Sequence, residues 1–315
     1  MSGSFVVGIC SALLAAAAAC AEEAEAARFA FSFFRDNGQA GVYLAVSEDA
    51  KNWQEANGGK PVLVPQVGGK LTRDPSMCRG PDGVFHMVWT TSWKDKGFGI
   101  AHSKDLLTWS EQSLVPVNRD EPNARNTWAP EIFYDDATRL YVIIWSTTID
   151  GLFSETKEQG DGGYNHRVYC ATTADFQTWA PKRLFYDGGF NVIDAFLFKK
   201  DGRYGLIVKD ETLKPKPQKN LHVVWSSGGV TGPWLAAGPA FTDNREAWAE
   251  GPAVIRVGAQ WLVYFDKYNK GGYGAVETKD FQTFTPVKVS LPKGIRHGTL
   301  VAVDEAVARG LMAAR

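Results

Sequence analysis

Short apolar segments alternate with polar turns along the chain, and one turn pattern recurs. Each copy has a Ser or Thr, an Asp two residues later and an aromatic residue four residues after the Asp. Clear copies occupy residues 47–53, 103–109, 173–179 and 278–284, with a looser copy at 226–234. Their final aromatic residues, at positions 53, 109, 179, 234 and 284, are 56, 70, 55 and 50 residues apart. Because every copy carries the pattern alike, we interpret it as turn chemistry with a packing aromatic residue and not as a catalytic motif.

Apolar strands flank each turn in a regular order. A short strand with small residues precedes each copy, as at 42–45 and 168–171, and a longer apolar strand precedes most later copies, as at 140–146 and 204–208. Further short segments raise the count to four strands per unit, with a period of about 50 residues or more. This count and period are typical of a propeller blade, so we predict an all-β, five-bladed β-propeller.

The first unit lacks an innermost strand of the kind found in the other units. Residues 297–302 near the C-terminus, with the sequence His-Gly-Thr-Leu-Val-Ala, supply a candidate. A ring closed by both ends of the chain removes exposed sheet edges. We therefore expect the C-terminal strand to complete the first blade as its innermost strand. This predicts one propeller domain at 28–303 and a tail at 304–315 that forms a short helix or a frayed end.

Composition agrees with this fold and excludes some partners. The 315 residues are 44% hydrophobic and 12% aromatic, with 11 Trp and 32 Gly, which is enough to build a large core and favours a β-protein whose clefts bind sugars. The formal net charge is −1, with acidic and basic residues interspersed. We therefore expect no nucleic-acid partner and no electrostatic attachment to a membrane.

The N-terminal segment differs from the rest of the chain. An apolar run over 5–19 leads to Cys20 and to an acidic stretch that starts at Glu22. The run is short for a transmembrane helix and ends in small residues, so we predict a signal peptide at 1–22 and a secreted or periplasmic protein without a membrane span. A lipid anchor at Cys20 is the alternative.

Cysteine chemistry plays no part in the predicted function. Only Cys78 and Cys170 remain once the predicted signal peptide is removed, which excludes a disulfide framework. The sequence also has no Cys/His spacing of the zinc-binding type.

An ionisable residue stands near the start of each predicted innermost strand. The five segments are Arg73-Asp74-Pro75-Ser76-Met77, Ala129-Pro130-Glu131-Ile132-Phe133, Ile193-Asp194-Ala195-Phe196-Leu197, Ala249-Glu250-Gly251-Pro252-Ala253 and Arg296-His297-Gly298-Thr299-Leu300. Innermost strands surround the central channel, so we expect four carboxylates and a histidine to converge at one end of it with perturbed pKa values. Two carboxylates on different blades suit glycosidic bond hydrolysis, in which one donates a proton and the other activates water. Their separation favours inversion, which needs about 6.5–9.5 Å between the carboxyl groups.

These segments resemble glycoside hydrolase family 43, whose members are five-bladed propellers that act on arabinose- and xylose-containing glycans. The resemblance covers nearly the whole mature chain and rests on Arg73-Asp74-Pro75-Ser76, Thr127-Trp128-Ala129-Pro130-Glu131, Ile193-Asp194-Ala195-Phe196, Glu250-Gly251-Pro252 and Arg296-His297-Gly298 in this order. It implies hydrolysis with inversion by three acids. Asp74 would be the general base and Glu250 the general acid. Asp194 would orient Glu250 and keep its pKa raised, which agrees with the effect of a nearby negative charge.

The resemblance also implies site residues beyond the three acids. In some members a histidine like His297 lies beside a water-bound cation, often calcium, so a structural Ca²⁺ in the channel is one expectation for a reaction that requires no cofactor. A hydrogen bond from His297 to water is the other. Aromatic faces stack on sugars and polar groups orient them. The nominated substrate contacts are Phe34, Asp36, Arg73, Trp93, Trp128, Glu131 and His297.

Several alternatives remain open at this stage. Each nominated residue of the pocket wall could instead pack between blades. The loop at 150–165 would shape substrate choice if it lies over the active end. The enzyme could act on a galactofuranoside or an anhydro-galactoside, or the chain could be a non-catalytic carbohydrate-binding propeller. We expect a monomer with a carbohydrate substrate, and we leave the sugar and the endo or exo mode open.

Overall fold

Five antiparallel sheets of four strands each make up nearly all the regular structure in the computed structural model, which describes residues 28–314. Within each sheet the strands that are consecutive in sequence lie side by side, so every blade is a simple meander. The prediction of an all-β, five-bladed propeller is confirmed. The predicted signal peptide at 1–22 lies outside the described residues.

The strands follow the blades in chain order, and the last strand returns to the first blade. Blade 1 comprises β1 (Arg28–Phe34), β2 (Tyr43–Ser47), β3 (Gln54–Glu55) and β20 (Arg296–Val303). Blade 2 comprises β4 (Arg73–Arg79), β5 (Phe85–Thr90), β6 (Phe98–Ser103) and β7 (Ser113–Val115). Blade 3 comprises β8 (Trp128–Asp135), β9 (Leu140–Thr147), β10 (Arg167–Thr173) and β11 (Arg183–Tyr186).

Blades 4 and 5 repeat the same order. Blade 4 comprises β12 (Val192–Lys200), β13 (Arg203–Asp210), β14 (Asn220–Gly229) and β15 (Gly232–Trp234). Blade 5 comprises β16 (Glu250–Val257), β17 (Gln260–Asp266), β18 (Tyr273–Thr278) and β19 (Thr285–Pro286). Single 3₁₀ turns occur at Asn57–Gly59 and Ser154–Thr156.

Strand β20 closes the ring, as predicted. It pairs with β1 in antiparallel fashion, with Leu300 opposite Phe31. The innermost strands β20, β4, β8, β12 and β16 contact one another in that circular order around the channel. Closure covers the edge of β1 that would otherwise be unpaired and free to pair with another chain.

Aromatic residues fill the space between neighbouring blades. The ring of Phe31 in blade 1 meets Tyr264 of blade 5 edge to face, with 5.8 Å between centroids, and Phe198 of blade 4 stacks on Phe281 of blade 5 at 4.2 Å. Such pairs add about 0.5–1.5 kcal/mol each beyond the burial of their area. The blades are therefore held in fixed angular positions, and so are the innermost strands.

The repeated Ser/Thr-x-Asp pattern forms tight turns after the third strand of a blade. In each turn the Asp Oδ1 accepts backbone N–H bonds from the residues two and three positions later, at 2.7–2.9 Å. The four aspartates are Asp49, Asp105, Asp175 and Asp280. The turns lie at the end of the propeller opposite the starts of the innermost strands, because the third strand of each blade runs away from those starts. The interpretation as turn chemistry is confirmed.

The chain after the propeller forms one helix, α1 (Glu305–Ala313). Its residues Ala308 and Leu311 are buried, and Glu305 Oε2 is 2.8 Å from Nε of Arg28 at the start of β1. Within 28–314 no helix is both long enough and apolar enough to cross a membrane.

Candidate active site

A bulge with one extra residue interrupts all five innermost strands at the same level. In β4, for example, Arg73 opposes Thr90 whereas Ser76 opposes Val88. The first residue of each bulge, which we call the bulge position, is Asp74, Ala129, Asp194, Gly251 or His297. Four of them are left-handed: Asp74, Ala129, Asp194 and Gly251 have φ of 51°, 46°, 50° and 56°. A bulge of this kind re-aims a side chain at the end of a strand, and here it points several of them towards the channel.

The bulge position brings two carboxylates and an imidazole together. Nδ1 of His297 lies 3.4 Å from Oδ1 of Asp74 and 3.8 Å from Oδ2 of Asp194. Thr90 Oγ1 donates to the other oxygen of Asp74 at 2.9 Å, and the backbone N–H of Gly251 donates to Oδ2 of Asp194 at 3.1 Å. The carboxylate side chains of Asp74 and Asp194 are only 11% and 8% exposed.

Asp74 and His297 stabilise each other's charged form. Burial raises the pKa of Asp74, but the hydrogen bond and the charge of His297, together with Arg73 and Thr90, lower it to about 2. Burial lowers the pKa of His297, but Asp74, Asp194 and Glu250 raise it to about 9. Near neutral pH the site therefore holds an ionised Asp74 beside an imidazolium.

Asp194 is shifted in the opposite direction from Asp74. Burial raises its pKa most, and the negative charges of Glu250 and Asp74 add to the increase against the lowering effects of His297 and Lys209. The two aspartates occupy equivalent positions on different blades, yet their surroundings push their pKa values apart. Asp194 therefore takes up a proton at a higher pH than Asp74 does.

Glu250 directly precedes the bulge position of blade 5 and binds two cations. Its Oε2 is 3.0 Å from Nζ of Lys209, and its Oε1 is 3.3 Å from Nη2 of Arg296. The Gly251 N–H bond to Asp194 fixes the backbone next to Glu250. A Cβ on Gly251 would lie 2.4 Å from Cγ of His297, so only glycine leaves room for the imidazole.

The strand register shows how the five ionisable residues are distributed near the starts of the innermost strands. Asp74, Asp194 and His297 share the bulge position, whereas Glu250 lies one residue before it, at the level of Arg296. Glu131 lies two residues beyond it, deeper in the channel. Burial raises the pKa of Glu131 to about 8, against the lowering effects of Ser76 and His297. Glu131 is thus a buried channel residue, and its nomination as a substrate contact stays a prediction.

The expectation of a cation beside His297, bound through water, stays a prediction. Within residues 28–314 no group of three or more His, Cys, Asp and Glu side chains is arranged to hold a metal ion. The imidazole of His297 lies beside the carboxylates of Asp74 and Asp194, and carboxylate oxygens are ligands that calcium accepts. These three side chains are the ones that would hold such a cation, directly or through water.

Arg73, Trp93 and Trp128 form one wall of the site. The Arg73 guanidinium lies 4.3 Å from the centroid of the Trp93 ring and donates to Oδ1 of Asn37 at 3.0 Å. Trp93 Nε1 donates to the same oxygen at 3.2 Å, and Trp128 Nε1 donates to the carbonyl of Trp93 at 3.0 Å. Trp93 is 45% exposed, so its ring is available to stack on a sugar.

Phe34 is buried, whereas Asp36 is exposed and its nomination as a substrate contact stays a prediction. Phe34 is fully buried between the guanidinium groups of Arg73 and Arg296, at 4.8 and 5.8 Å from its ring centroid. Its ring therefore supports the two arginines and does not line the surface, which corrects its nomination as a substrate contact. Asp36 is exposed in the turn after β1, with a left-handed backbone at φ 51°.

The loop at 150–165 lies at the active end, because it joins the end of β9 to the start of β10. The rings of Tyr164 and His166 lie 4.8 and 5.0 Å from that of Trp128. The Arg125 guanidinium covers the other side of Tyr164 at 4.1 Å and donates to the carbonyl of Gly163 at 2.8 Å. The loop thus extends the aromatic wall.

Sequence reasoning missed the polar residues that surround the three acids. Lys209 and Glu211 stand at the end of β13, and Asn37 lies in the turn after β1. Lys209 could have been found from sequence, because it directly follows the apolar strand at 204–208. That strand pairs with β12, the strand of Asp194. No pattern marks Asn37, whose role depends on a fold that places Arg73 and Trp93 beside it.

A family model described as a probable glycosyl hydrolase domain, related to glycoside hydrolase family 43, matches residues 25–308. An α-L-arabinofuranosidase of Bifidobacterium longum subsp. longum is 24% identical over 231 residues, which are 66% of this chain and 20% of that protein. The chain therefore spans about a fifth of the length of this curated relative.

Solved structures of similar fold belong to the same group of enzymes. A thermostable family-43 glycoside hydrolase has a TM-score of 0.55 at 15% identity, covering 74% of this chain and 76% of that one. An α-L-arabinofuranosidase from Lactobacillus brevis has a TM-score of 0.53 at 18% identity (73% and 74% covered), and an arabinanase from Bacillus subtilis has 0.52 at 15% (76% and 82% covered). At these identities the likeness shows a shared fold.

Proposed function

The chain belongs to the family of probable glycosyl hydrolase domains related to glycoside hydrolase family 43, and from that premise we propose that it hydrolyses arabinofuranosyl or xylosyl linkages in plant-type glycans by single displacement with inversion. The observation that carries the proposal is the charge arrangement at the channel mouth. Asp74 on blade 2 is ionised, and blade 1 separates it from Glu250 on blade 5. Asp194 on blade 4 lies beside the same imidazole, that of His297, as Asp74 does.

In this mechanism Asp74 is the general base. Its carboxylate takes a proton from a water molecule, whose oxygen attacks the anomeric carbon as the glycosidic C–O bond breaks. Glu250 donates its proton to the departing glycosidic oxygen, so that the leaving group departs as a neutral alcohol. The water adds to the face opposite the leaving group, and the product sugar has the inverted configuration. Proton exchange with solvent then restores the ionised Asp74 and the protonated Glu250.

Asp194 acts through Glu250. Its bond to the Gly251 N–H holds the backbone beside Glu250, and its proximity couples the charges of the two carboxyl groups. A negative charge on Asp194 disfavours the loss of the proton from Glu250. His297 offsets the repulsion between Asp74 and Asp194, since its imidazolium lies close to both carboxylates.

The choice of sugar rests on the relatives. The printed names of the curated relative and of a similar solved structure describe α-L-arabinofuranosidases, and another solved structure is a xylan β-1,4-xylosidase. The exposed Trp93 and the neighbouring Trp128 supply the aromatic faces on which a pentose or the next sugar of a chain would stack.

A panel of nitrophenyl glycosides tests the proposal. Wild type should cleave the α-L-arabinofuranoside or the β-D-xyloside, and Asp74→Ala should lose activity by about 10³-fold or more because no base remains to activate water. Asp280→Ala, in a turn at the opposite end, is the matched control and should keep wild-type kinetics. Binding of glycans by wild type without cleavage of any substrate would identify a carbohydrate-binding propeller instead.

Proton NMR of the first-formed product tests inversion. The anomer released before mutarotation should have the configuration opposite to that of the substrate. Release of the retained anomer would rule out single displacement.

We also propose that the protein is exported, on the strength of the apolar segment at 5–19. The mature protein from the secreted or periplasmic fraction should begin near residues 19–22. A mature protein that still carries residues 1–18 would contradict export by cleavage, and detergent-phase partitioning lost in Cys20→Ser would show a lipid anchor.

A further inference from the structure

Lys209 is a buried cation that the proposed reaction does not use. It stands near the end of β13 with 1% of its side chain exposed. Its Nζ is 3.0 Å from Oε2 of Glu250 and 2.6 Å from Oε2 of Glu211, and it lies 4.3 Å from the centroid of the Tyr268 ring. Burial lowers its pKa, but the charges of Glu211 and Glu250 raise it well above the usual value, so the ammonium group stays charged.

A second lysine extends this contact into a chain of alternating charges. Nζ of Lys219 is 2.5 Å from Oε1 of Glu211, and the Lys219 ammonium lies 5.5 Å from the ring of Trp248. The order is thus Lys219, Glu211, Lys209, Glu250. Burying a charge costs free energy unless an opposite charge pairs with it. Of these four residues, only Glu250 has a function in the proposed reaction. A buried lysine placed against the general acid needs an explanation in terms of that acid.

Building on the proposed role of Glu250 as general acid, we propose that Lys209 is a positioning residue that holds the Glu250 carboxyl in place and, together with Glu211, sets the pH range over which Glu250 keeps its proton. Lys209 favours the ionised form of Glu250, and Glu211 opposes this by compensating the lysine charge.

Other charged groups also face Glu250, and they do not replace Lys209. Arg296 binds Oε1, but its Nε is committed to Asp266 at 2.7 Å. The remaining titratable groups that interact with Glu250, from the strands and turns packed against it, are Asp194, Asp266, Tyr268, Tyr273, Lys219 and His297. Among the described cations in direct contact with Glu250, only Lys209 is fully buried, so solvent screens it least.

The test compares pH profiles of kcat/KM in variants of opposite sign. Lys209→Met removes the cation with little change of volume, so the alkaline limb should move to higher pH by about one unit, as expected for the loss of an opposite charge within 4–6 Å. Glu211→Gln removes the compensating anion, so the limb should move to lower pH. Lys219→Met is the matched control: it also removes a lysine bound to Glu211, but it does not contact Glu250 and should give a smaller upward shift.

Two further readouts separate position from charge. Lys209→Arg keeps the cation and should keep the wild-type alkaline limb. Carboxyl ¹³C NMR of labelled Glu, with Glu250 assigned from the missing signal in Glu250→Gln, should show the titration of Glu250 at higher pH in Lys209→Met and at lower pH in Glu211→Gln. If Lys209→Met does not fold, Glu211→Gln alone still decides, because its predicted direction is opposite to that of any lysine variant.

The outcomes distinguish this inference from the proposed function. Reduced activity with an unmoved alkaline limb and an unmoved Glu250 titration would show a purely structural lysine and overturn the inference, even if the protein is a glycosidase. Shifts of both signs in the NMR titration would support the inference even if no tested glycoside is cleaved. Full activity in Glu250→Gln would overturn the proposed function instead.

Discussion

At the scale of single residues, the site depends on one imidazole that serves two carboxylates. The charges of Asp74, Asp194 and Glu250 raise the pKa of His297 against the effect of burial, and His297 in turn lowers the pKa of Asp74. Thr90 ties Asp74 to the next blade, since its hydroxyl donates to Asp74 and accepts the N–H of Ala129 at 2.8 Å. The charge pair is thus part of the scaffold as well as of the chemistry.

Replacing His297 should remove a pH-dependent part of the stability. The pKa of His297 is raised from 6.5 to about 9, so its contribution of roughly 3 kcal/mol is fully present below about pH 6.5 and is lost as pH rises through about 9. Urea unfolding at a series of pH values should show this fall in wild type and not in His297→Gln. Parallel curves for the two proteins above about pH 6.5 would contradict the ion pair.

The identities of the three acids were predictable from sequence, but their protonation states were not. Asp74, Asp194 and Glu250 stand at strand starts that recur with the blade period. Whether each is ionised depends on His297 and Lys209, which come from distant parts of the chain and reach the acids only after the ring closes. The family resemblance assigns roles to residues but gives no information on packing, so it could not show that Phe34 is buried.

At the scale of the element, the bulge in each innermost strand sets the level of every channel residue. The bulge was not predicted from sequence, so the levels of Glu131, two residues beyond the bulge position, and of Glu250, one residue before it, were not predicted either. The correct signal was present in the prolines: Pro75, Pro130 and Pro252 each follow the bulge position directly. Proline inside a strand occurs at edges and bulges because it lacks the N–H donor, so alignment on proline would have given the register.

Two substitutions at equivalent bulge positions should have very different effects on stability. Gly251→Ala places a methyl group against His297 at a left-handed residue, so we expect a loss of roughly 3 kcal/mol in the free energy of unfolding and a large fall in kcat. Ala129→Gly has the same backbone conformation without that contact and should leave stability within about 1 kcal/mol. Chemical denaturation measures both. Equal effects of the two changes would show that the imidazole does not require glycine.

The repeated turns belong to the other end of each blade. Asp105 accepts two backbone N–H bonds, at 2.9 Å from Leu107 and 2.7 Å from Thr108. Asp105→Ala should lower the free energy of unfolding by about 1 kcal/mol without changing kcat/KM, because the turn is remote from the acids. A change in kcat/KM without a change in stability would be evidence against the purely structural interpretation of the repeat.

At the scale of the whole molecule, the two ends of the propeller have separate tasks. Turns that recur in sequence occupy one end and maintain the blades, whereas residues that differ from blade to blade occupy the other end and form the site. This division explains why fold class and ring closure could be predicted from periodicity and why the site could be predicted only in part. The sequence repeat shows only the features that all blades share, whereas the chemistry depends on residues that differ between blades.

Ring closure can be tested by truncation. A chain that ends at Asp304 keeps β20 and loses only α1, whose buried contacts are chiefly Leu311 and Ala308, so it should fold with a free energy of unfolding lower by about 2–4 kcal/mol. A chain that ends at Lys293 loses β20 and opens blade 1, and it should fail to fold. Circular dichroism melting distinguishes them. Cooperative melting of the shorter chain would contradict the closed ring.

The central claim is that Glu250 protonates the leaving group at a site where Asp74 activates water. Its most direct test measures how kcat/KM of Glu250→Ala depends on the leaving group. A general acid matters most when the leaving alkoxide is poor. For the preferred sugar, kcat/KM of Glu250→Ala should fall by about 10³-fold on an alkyl glycoside and by about tenfold or less on the dinitrophenyl glycoside. An equal fall on both substrates, or full activity on the alkyl glycoside, would contradict the assignment.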